Sequence, residues 1–175
     1  MPIIAPVPTA GSESNNATAS VVVVGASAST SARRPIPRGY VRTAVRQTAG
    51  VRPDRPCPCG STADYGSCCQ PLHLGERQAD TAEQLMRSRY SAYVAGDATY
   101  VWRTWHPRTR PSDVDDDISV TWTRLQIVDI AAGGIDDDVG EVEFLAHHRH
   151  GVLHERSRFA RRAGRWFYLD GDILD

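Results

Sequence analysis

Four cysteines fall within one short stretch, CPCGSTADYGSCC, at Cys57, Cys59, Cys68 and Cys69. Two close pairs of thiolates joined by a turning segment suit a closed tetrahedral site, and four of them complete the ligand set of structural zinc, with Zn–S distances of about 2.3 Å. Gly60-Ser61 and Tyr65-Gly66 supply the turn chemistry that folds one pair back over the other. The first thirty residues lack the basic start, long apolar run and cleavage site of a secretory signal, so the expected location is the cytoplasm. In a reducing compartment clustered cysteines serve as metal ligands or catalytic groups more often than as disulfides. Zinc is therefore the expected cofactor, set against unpaired buried thiols, two disulfides or an iron–sulfur cluster. Cys68 and Cys69 are adjacent, so they must sit at a turn or a helix start to aim at one ion, and His73 stands as an alternative ligand.

The rest of the chain must position this cluster and whatever else is functional. At 175 residues, 41% of them hydrophobic and 23% charged, there is material for one compact domain with a sizeable core. The net charge of -1 hides an asymmetry: residues 1–56 carry seven arginines and two acids, residues 57–175 thirteen arginines and nineteen acids. An acidic body argues against general nucleic-acid binding, which needs a clustered positive surface. No stretch approaches the roughly 20 apolar residues that span a bilayer. Residues 1–51 are rich in Ala, Ser, Thr, Val, Gly and Pro without a sustained period, and are expected to be a disordered tail.

After the cysteines, DTAEQLMRSRYSAYVAGD reads as a helix, with Asp80 or Thr81 as cap, Glu83 three residues after Asp80, and Gly96 at its end. Leu85, Met86, Tyr90, Tyr93 and Val94 share one side. A shorter helix is predicted from Asp97 to about Trp105, stopped by His106-Pro107. From Ser119 the period becomes that of strands: SVTWTRLQIVDI, VGEVEFLAHHRH, VLHERSRFARR and RWFYLDGDI, separated by turn residues. Helices followed by a four-stranded antiparallel meander give an α+β fold, a curved sheet wrapped over helices. Trp102, Trp105, Trp122 and Trp166 are expected in its core. The HHRH run at His147–His150 and the acidic DVDDD and IDDDVG loops are expected to be solvated rather than metal-binding, since neither acidic run has EF-hand spacing.

CPCGSTADYGSCC resembles the SEC-C motif, a zinc knuckle whose ligands are three Cys and a Cys or His, and the match covers every ligand position. Beyond it, CCQPLHLGERQADTAEQLMRSRYSAYVAGDATYVWRTWHP and HERSRFARRAGRWFYLDG closely resemble the bacterial YchJ family of uncharacterised proteins. The resemblance implies a knuckle at residues 52–75 and, at residues 76–175, a cone similar to nuclear transport factor two, in which a bent antiparallel sheet packs on helices. It carries no established reaction.

Cones of this kind often hold a pocket, and the polar candidates are Arg89, Tyr93, Trp105, His106, Glu155, Ser157, Trp166 and Tyr168. Strand alternation puts Glu155, Ser157 and Phe159 on one face and Arg156 and Arg158 on the other. Glu155 has two readings: a general base with His106 as partner, or a structural partner of Arg87 or Arg89 between helix and sheet. With no nucleophile elbow, phosphate loop or open metal site, the first expectation is a non-enzymatic adaptor with a protein partner. The alternatives are a small-molecule-binding or lyase/isomerase-like enzyme using the cone, and a ribosome- or nucleic-acid-associated module. The last requires Arg156, Arg158, Arg161, Arg162 and Arg165 to form one basic face.

Overall fold

A computed structural model describes residues 50–112, 114 and 120–175. All but the last two residues of the predicted tail lie outside the described residues, as does most of the DVDDD loop. Three helices precede the sheet: α1 (Gln70–Leu74), α2 (Ala82–Ala95) and α3 (Ala98–Arg103). Four strands follow: β1 (Trp122–Ala132), β2 (Val139–His148), β3 (Gly151–Arg162) and β4 (Arg165–Ile173). They pair in that order, each antiparallel to the next.

The local chemistry accounts for the boundaries. Thr81 caps α2, its hydroxyl accepting from the Gln84 amide at 3.1 Å, while Gln84 Oε1 accepts from the Asp80 amide at 2.6 Å. The cap thus ties Gln84 to both Thr81 and Asp80 rather than Glu83 to Asp80, and Glu83 is left to pair with Arg87 one turn on. Gly96 closes the helix at φ 70°, its amide donating back to Ala92 and Tyr93, a left-handed conformation that side chains resist. Asp97 caps α3 through Tyr100. The sequence reading allowed a helix start at the adjacent cysteines but gave no range for α1, whose single turn follows the pair and has a proline in its first turn.

The inner face of the sheet carries Val142, Phe144, Ala146, Phe159, Trp166 and Tyr168, which bury Leu85, Met86, Tyr90 and Tyr93 of α2. The alternate residues of β2 and β3 point to the outer face, where Glu141, Glu143, Arg156 and Arg158 stand. Register shifts in β1 at Trp122/Arg124 and Ile127/Asp129, and between β3 and β4 at Arg158/Phe159, where Leu169 of β4 is the extra residue, mark the irregularities by which a sheet bends. The outer edge of β4 is covered by Thr104–His106: the His106 amide donates to Tyr168 O at 2.7 Å and the Tyr168 amide to Thr104 O at 3.0 Å. At the other end, the β1–β2 hairpin meets the start of α2, where Ala82 N donates to Gly133 O. A Cβ at Gly140 would lie 2.4 Å from Gly133 Cα, so two backbones touch where no side chain fits.

Trp105, Trp122 and Trp166 are core residues, as expected, but Trp102 is 41% exposed. It lies on the outer side of α3, where the Arg110 guanidinium stacks 3.8 Å from its ring centre.

Candidate metal centre and the polar interior of the cone

The knuckle is built from two turns tied by a short bridge between Pro56 and Asp64. Cys57 N donates to Ala63 O, and Gly60 N to Cys57 O, with Gly60 at φ 79°. A second turn, in which the Cys68 and Gln70 amides donate to Tyr65 O, delivers the adjacent pair. Cys68 ends that turn and Cys69 is the N-cap of α1, which answers how neighbouring cysteines reach one point.

All four Sγ atoms lie within 4.8 Å of one another. Cys59 and Cys68 are 3.6 Å apart, Cys68 and Cys69 3.8 Å. A tetrahedral ion with metal–sulfur bonds of about 2.3 Å needs sulfurs about 3.8 Å apart, so the donor set fits such an ion. Cys57, Cys59 and Cys69 are buried and Cys68 is partly exposed, with Ser61 Oγ 3.1 Å from its sulfur. Hydrogen bonds from Cys57 and Cys69, and then from Ser61, hold Cys59 far below the usual thiol range. Its neighbours move the other way: the bond to Cys59 takes Cys57 up to about 11, and bonds to Cys57 and Cys59 raise Cys69. His73 is not a ligand. Its Nε2 donates to Ser88 O at 2.8 Å and its Nδ1 accepts from Tyr65 OH at 2.8 Å, so both ring nitrogens are taken, and burial lowers its pKa.

The knuckle is fixed to α2 through polar contacts. Arg87 NH1 donates to Cys59 O at 2.8 Å, Ser91 Oγ lies 3.8 Å from Cys57 Sγ, and His73 reaches Ser88 as described. One side of α2 therefore serves the sheet and another the knuckle, which is why Ser88 and Ser91 are fully buried in it.

Inside the cone, Arg89 has no exposed surface. Its NH1 donates to Val101 O at 2.6 Å and to Thr104 Oγ1 at 2.8 Å. Its Cζ lies 5.2 Å from the Trp105 ring centre and 4.8 Å from that of Tyr168, while Nε and NH2 have no hydrogen-bond acceptor. Stacking on two aromatic faces supplies part of what a carboxylate would. Glu155 is equally enclosed. Its Oε1 accepts from Ser157 Oγ at 2.7 Å and Tyr168 OH at 3.3 Å, and Oε2 has no partner. The carboxylate lies over Gly171, where a Cβ would come within 2.1 Å of Oε1. Burial raises its pKa to about 7, against the lowering effect of the two hydroxyls and of Arg89.

The arrangement now has relatives. A family model described as "YchJ, middle NTF2-like domain" matches residues 81–171. The chain belongs to the YchJ family. It is 54% identical over 123 residues to a UPF0225 protein of Streptomyces coelicolor, a match covering 70% of this chain and 99% of that one. It is 51% identical to a UPF0225 protein of Deinococcus radiodurans, covering 67% and 89%. Among solved structures, it is similar to a SEC-C motif-containing protein of Rhodopseudomonas palustris at 34% identity and a TM-score of 0.62, over 69% of this chain and all of that one. A second SEC-C motif-containing protein, from Psychrobacter arcticus, matches at 28% identity and a TM-score of 0.58, over 70% and 85%. The family, the α+β architecture and the SEC-C likeness of the cysteine cluster agree with the sequence reading.

Of the pocket candidates in this YchJ-family chain, Arg89, Trp105, Glu155, Ser157 and Tyr168 meet in the interior, with buried Tyr93 near enough to act on both Arg89 and Tyr168 electrostatically. Trp166 is buried to one side, its indole donating to Asp80 O. His106 does not join them. Its ring packs edge-on against Phe167, and its Nε2 lies 3.4 Å from Arg162 NH1, so the expected partnership with Glu155 is not formed. Burial, then Arg108, Arg162 and Arg110, lower its pKa. Neither expected ion pair of Glu155 forms either. Arg87 points to the knuckle, and Arg89 spends its hydrogen bonds on α3, reaching Glu155 only through space.

The single basic face is also absent among the described residues. Arg156 is held by Asp129 at 2.8 Å, Glu143 at 2.6 Å and Glu141 at 3.3 Å, and Arg158 by Asp170 and by Asp172 at 2.6 Å. Arg161 donates to Ile135 O. His147 and His148 are partly buried, the latter against Trp122 at 5.3 Å. No described helix is long and apolar enough to cross a membrane.

Proposed function

We propose that the protein is a non-enzymatic protein-interaction adaptor of the cytoplasm, with zinc as the ion of its knuckle and a protein as its partner. The observation that carries the adaptor reading is an exposed apolar run at the β1–β2 hairpin. Val128 and Ile130 are 48% and 44% exposed, Ile135 and Val139 65% and 64%, at one end of a sheet whose outer face carries the ion pairs of Arg156 and Arg158. Beside them is a depression of about 420 Å³ whose walls include Ala131, Ala132, Phe159 and Leu169. Several large apolar side chains exposed at one hairpin end, beside an apolar-walled depression, are what a protein contact would cover. Zinc, when bound, supplies a crosslink among four thiolates, and since the protein provides all four ligands no coordination position is left for a substrate.

Glu155 favours a second reading, a small-molecule-binding or lyase/isomerase-like enzyme, because a carboxyl with a pKa of about 7 is suited to proton transfer. One experiment separates the two. Full-length protein is captured from its host with its bound molecules, alongside Ile130→Asp/Val139→Asp. The adaptor reading expects a stoichiometric protein that the variant loses at unchanged melting temperature. A retained metabolite, with no protein lost by the variant, would favour the enzyme.

A further inference from the structure

Between the segment that leaves α1, helix α3 and the start of β4 lies a cavity of about 180 Å³. Arg77, Arg103 and Arg165 line it, and no carboxylate does. Among the described residues none of the three takes part in an ion pair, whereas Arg156 and Arg158 on the outer sheet face are each held by at least two acids. In a segment with nineteen acids against thirteen arginines, three unneutralised guanidinium groups around one hollow reverse the local charge. Glu76 and Asp80 belong to the same connecting segment but do not line the cavity.

The arginines are partly anchored and partly unspent. Arg103 NH2 donates to Leu72 O at 2.9 Å and His73 O at 2.7 Å, and its Cζ lies 4.8 Å from the Tyr100 ring centre, which fixes the side chain and leaves Nε and NH1 for another acceptor. Arg77 uses NH2 on Cys68 O, and Arg165 uses Nε on Gln78 Oε1, both at 3.3 Å. The knuckle and α1 thus hold two of the cations in place by their backbone carbonyls. Trp166 and Phe167 add aromatic walls.

We propose that this cavity binds a small organic dianion, a phosphomonoester or a dicarboxylate on a short apolar or aromatic body. Guanidinium groups recognise such oxyanions through paired N–H donors, and three of them match two negative charges better than one. The volume is below the 300–1,000 Å³ or so of sites for drug-sized molecules, which limits the body to about one ring. The site is separate from the four thiols, from the Glu155 interior and from the apolar hairpin, so it stands whether or not the adaptor reading does.

The test titrates full-length protein, with its metal as purified, with phenyl phosphate, phthalate and benzoate, following the indole N–H of Trp166 by NMR and assigning it with Trp166→Phe. At least one dianion is expected to give a saturable shift and to bind at least tenfold more tightly than the monoanion benzoate, the better of the two identifying the carrier. Arg77→Gln and Arg165→Gln are each expected to weaken binding at least fivefold and Arg165→Lys much less. Both side chains are exposed, and an unchanged melting temperature checks that the fold is intact. Absence of saturation with either dianion, equal binding of benzoate, or undiminished binding by Arg77→Gln/Arg165→Gln would overturn the proposal.

Discussion

A carboxyl group with no exposed surface and no cation in contact must be held by something else, and for Glu155 that is two hydroxyls on one oxygen. The second oxygen has no partner, so ionisation is costly and burial lifts the pKa from the ordinary 4.5 to about 7. Because the folded value is the higher one, the native state holds the extra proton between those limits. Its contribution to stability is complete below about pH 4.5, declines as pH rises and is gone above about 7, a change of about 3 kcal/mol. In Glu155→Gln that dependence should vanish. Urea unfolding of both proteins across this range should show the difference in stability, wild type minus variant, falling by about 3 kcal/mol; a constant difference would mean that Glu155 is not protonated in the fold. Alternation along β3 was enough to place Glu155 inside. Its partners were not legible, because the nearest cation in helical register, Arg89, is drawn off by Val101 O and Thr104, contacts set by where α3 crosses.

At the scale of elements, period and punctuation carried most of the information. The helix ended by Gly96, the helix opened by Asp97 and the alternating burial of β2 and β3 all follow from side-chain spacing. What spacing does not encode is close approach between distant segments. The hairpin joining β1 to β2 packs on Ala82, and there a Cβ on Gly140 would sit 2.4 Å from Gly133 Cα and 2.8 Å from Gly133 N, atoms of backbone that have nowhere to go. Gly140→Ala should therefore destabilise the fold by about 1–3 kcal/mol or more, as overpacking does, in chemical unfolding; an unchanged midpoint would show that the hairpin can move off α2. The extent of the short α1 was not legible for a related reason, although a helix start at the adjacent cysteines was one of two possibilities. Its five residues are too few for a period, and it exists because the knuckle delivers Cys69 to its N-cap.

The described residues form a small knuckle and a cone sharing one helix, with Arg87, Ser88 and Ser91 on α2 meeting the knuckle while Leu85, Met86 and Tyr93 face the sheet. The cysteine spacing announced the first part and the helix-then-meander order the second, while the polar seam between them needed three dimensions. Four sulfurs within 4.8 Å of one another, three of them buried, are poorly explained as independent thiols, and a structural ion at such a site contributes about 10–16 kcal/mol of apparent binding free energy. The direct test is the mass of the full-length chain by native mass spectrometry after purification without chelator. The account expects the mass of the polypeptide plus one zinc ion, lost in Cys59→Ser. A metal-free mass, with all four thiols reacting at once with a thiol reagent while the fold persists, would contradict it.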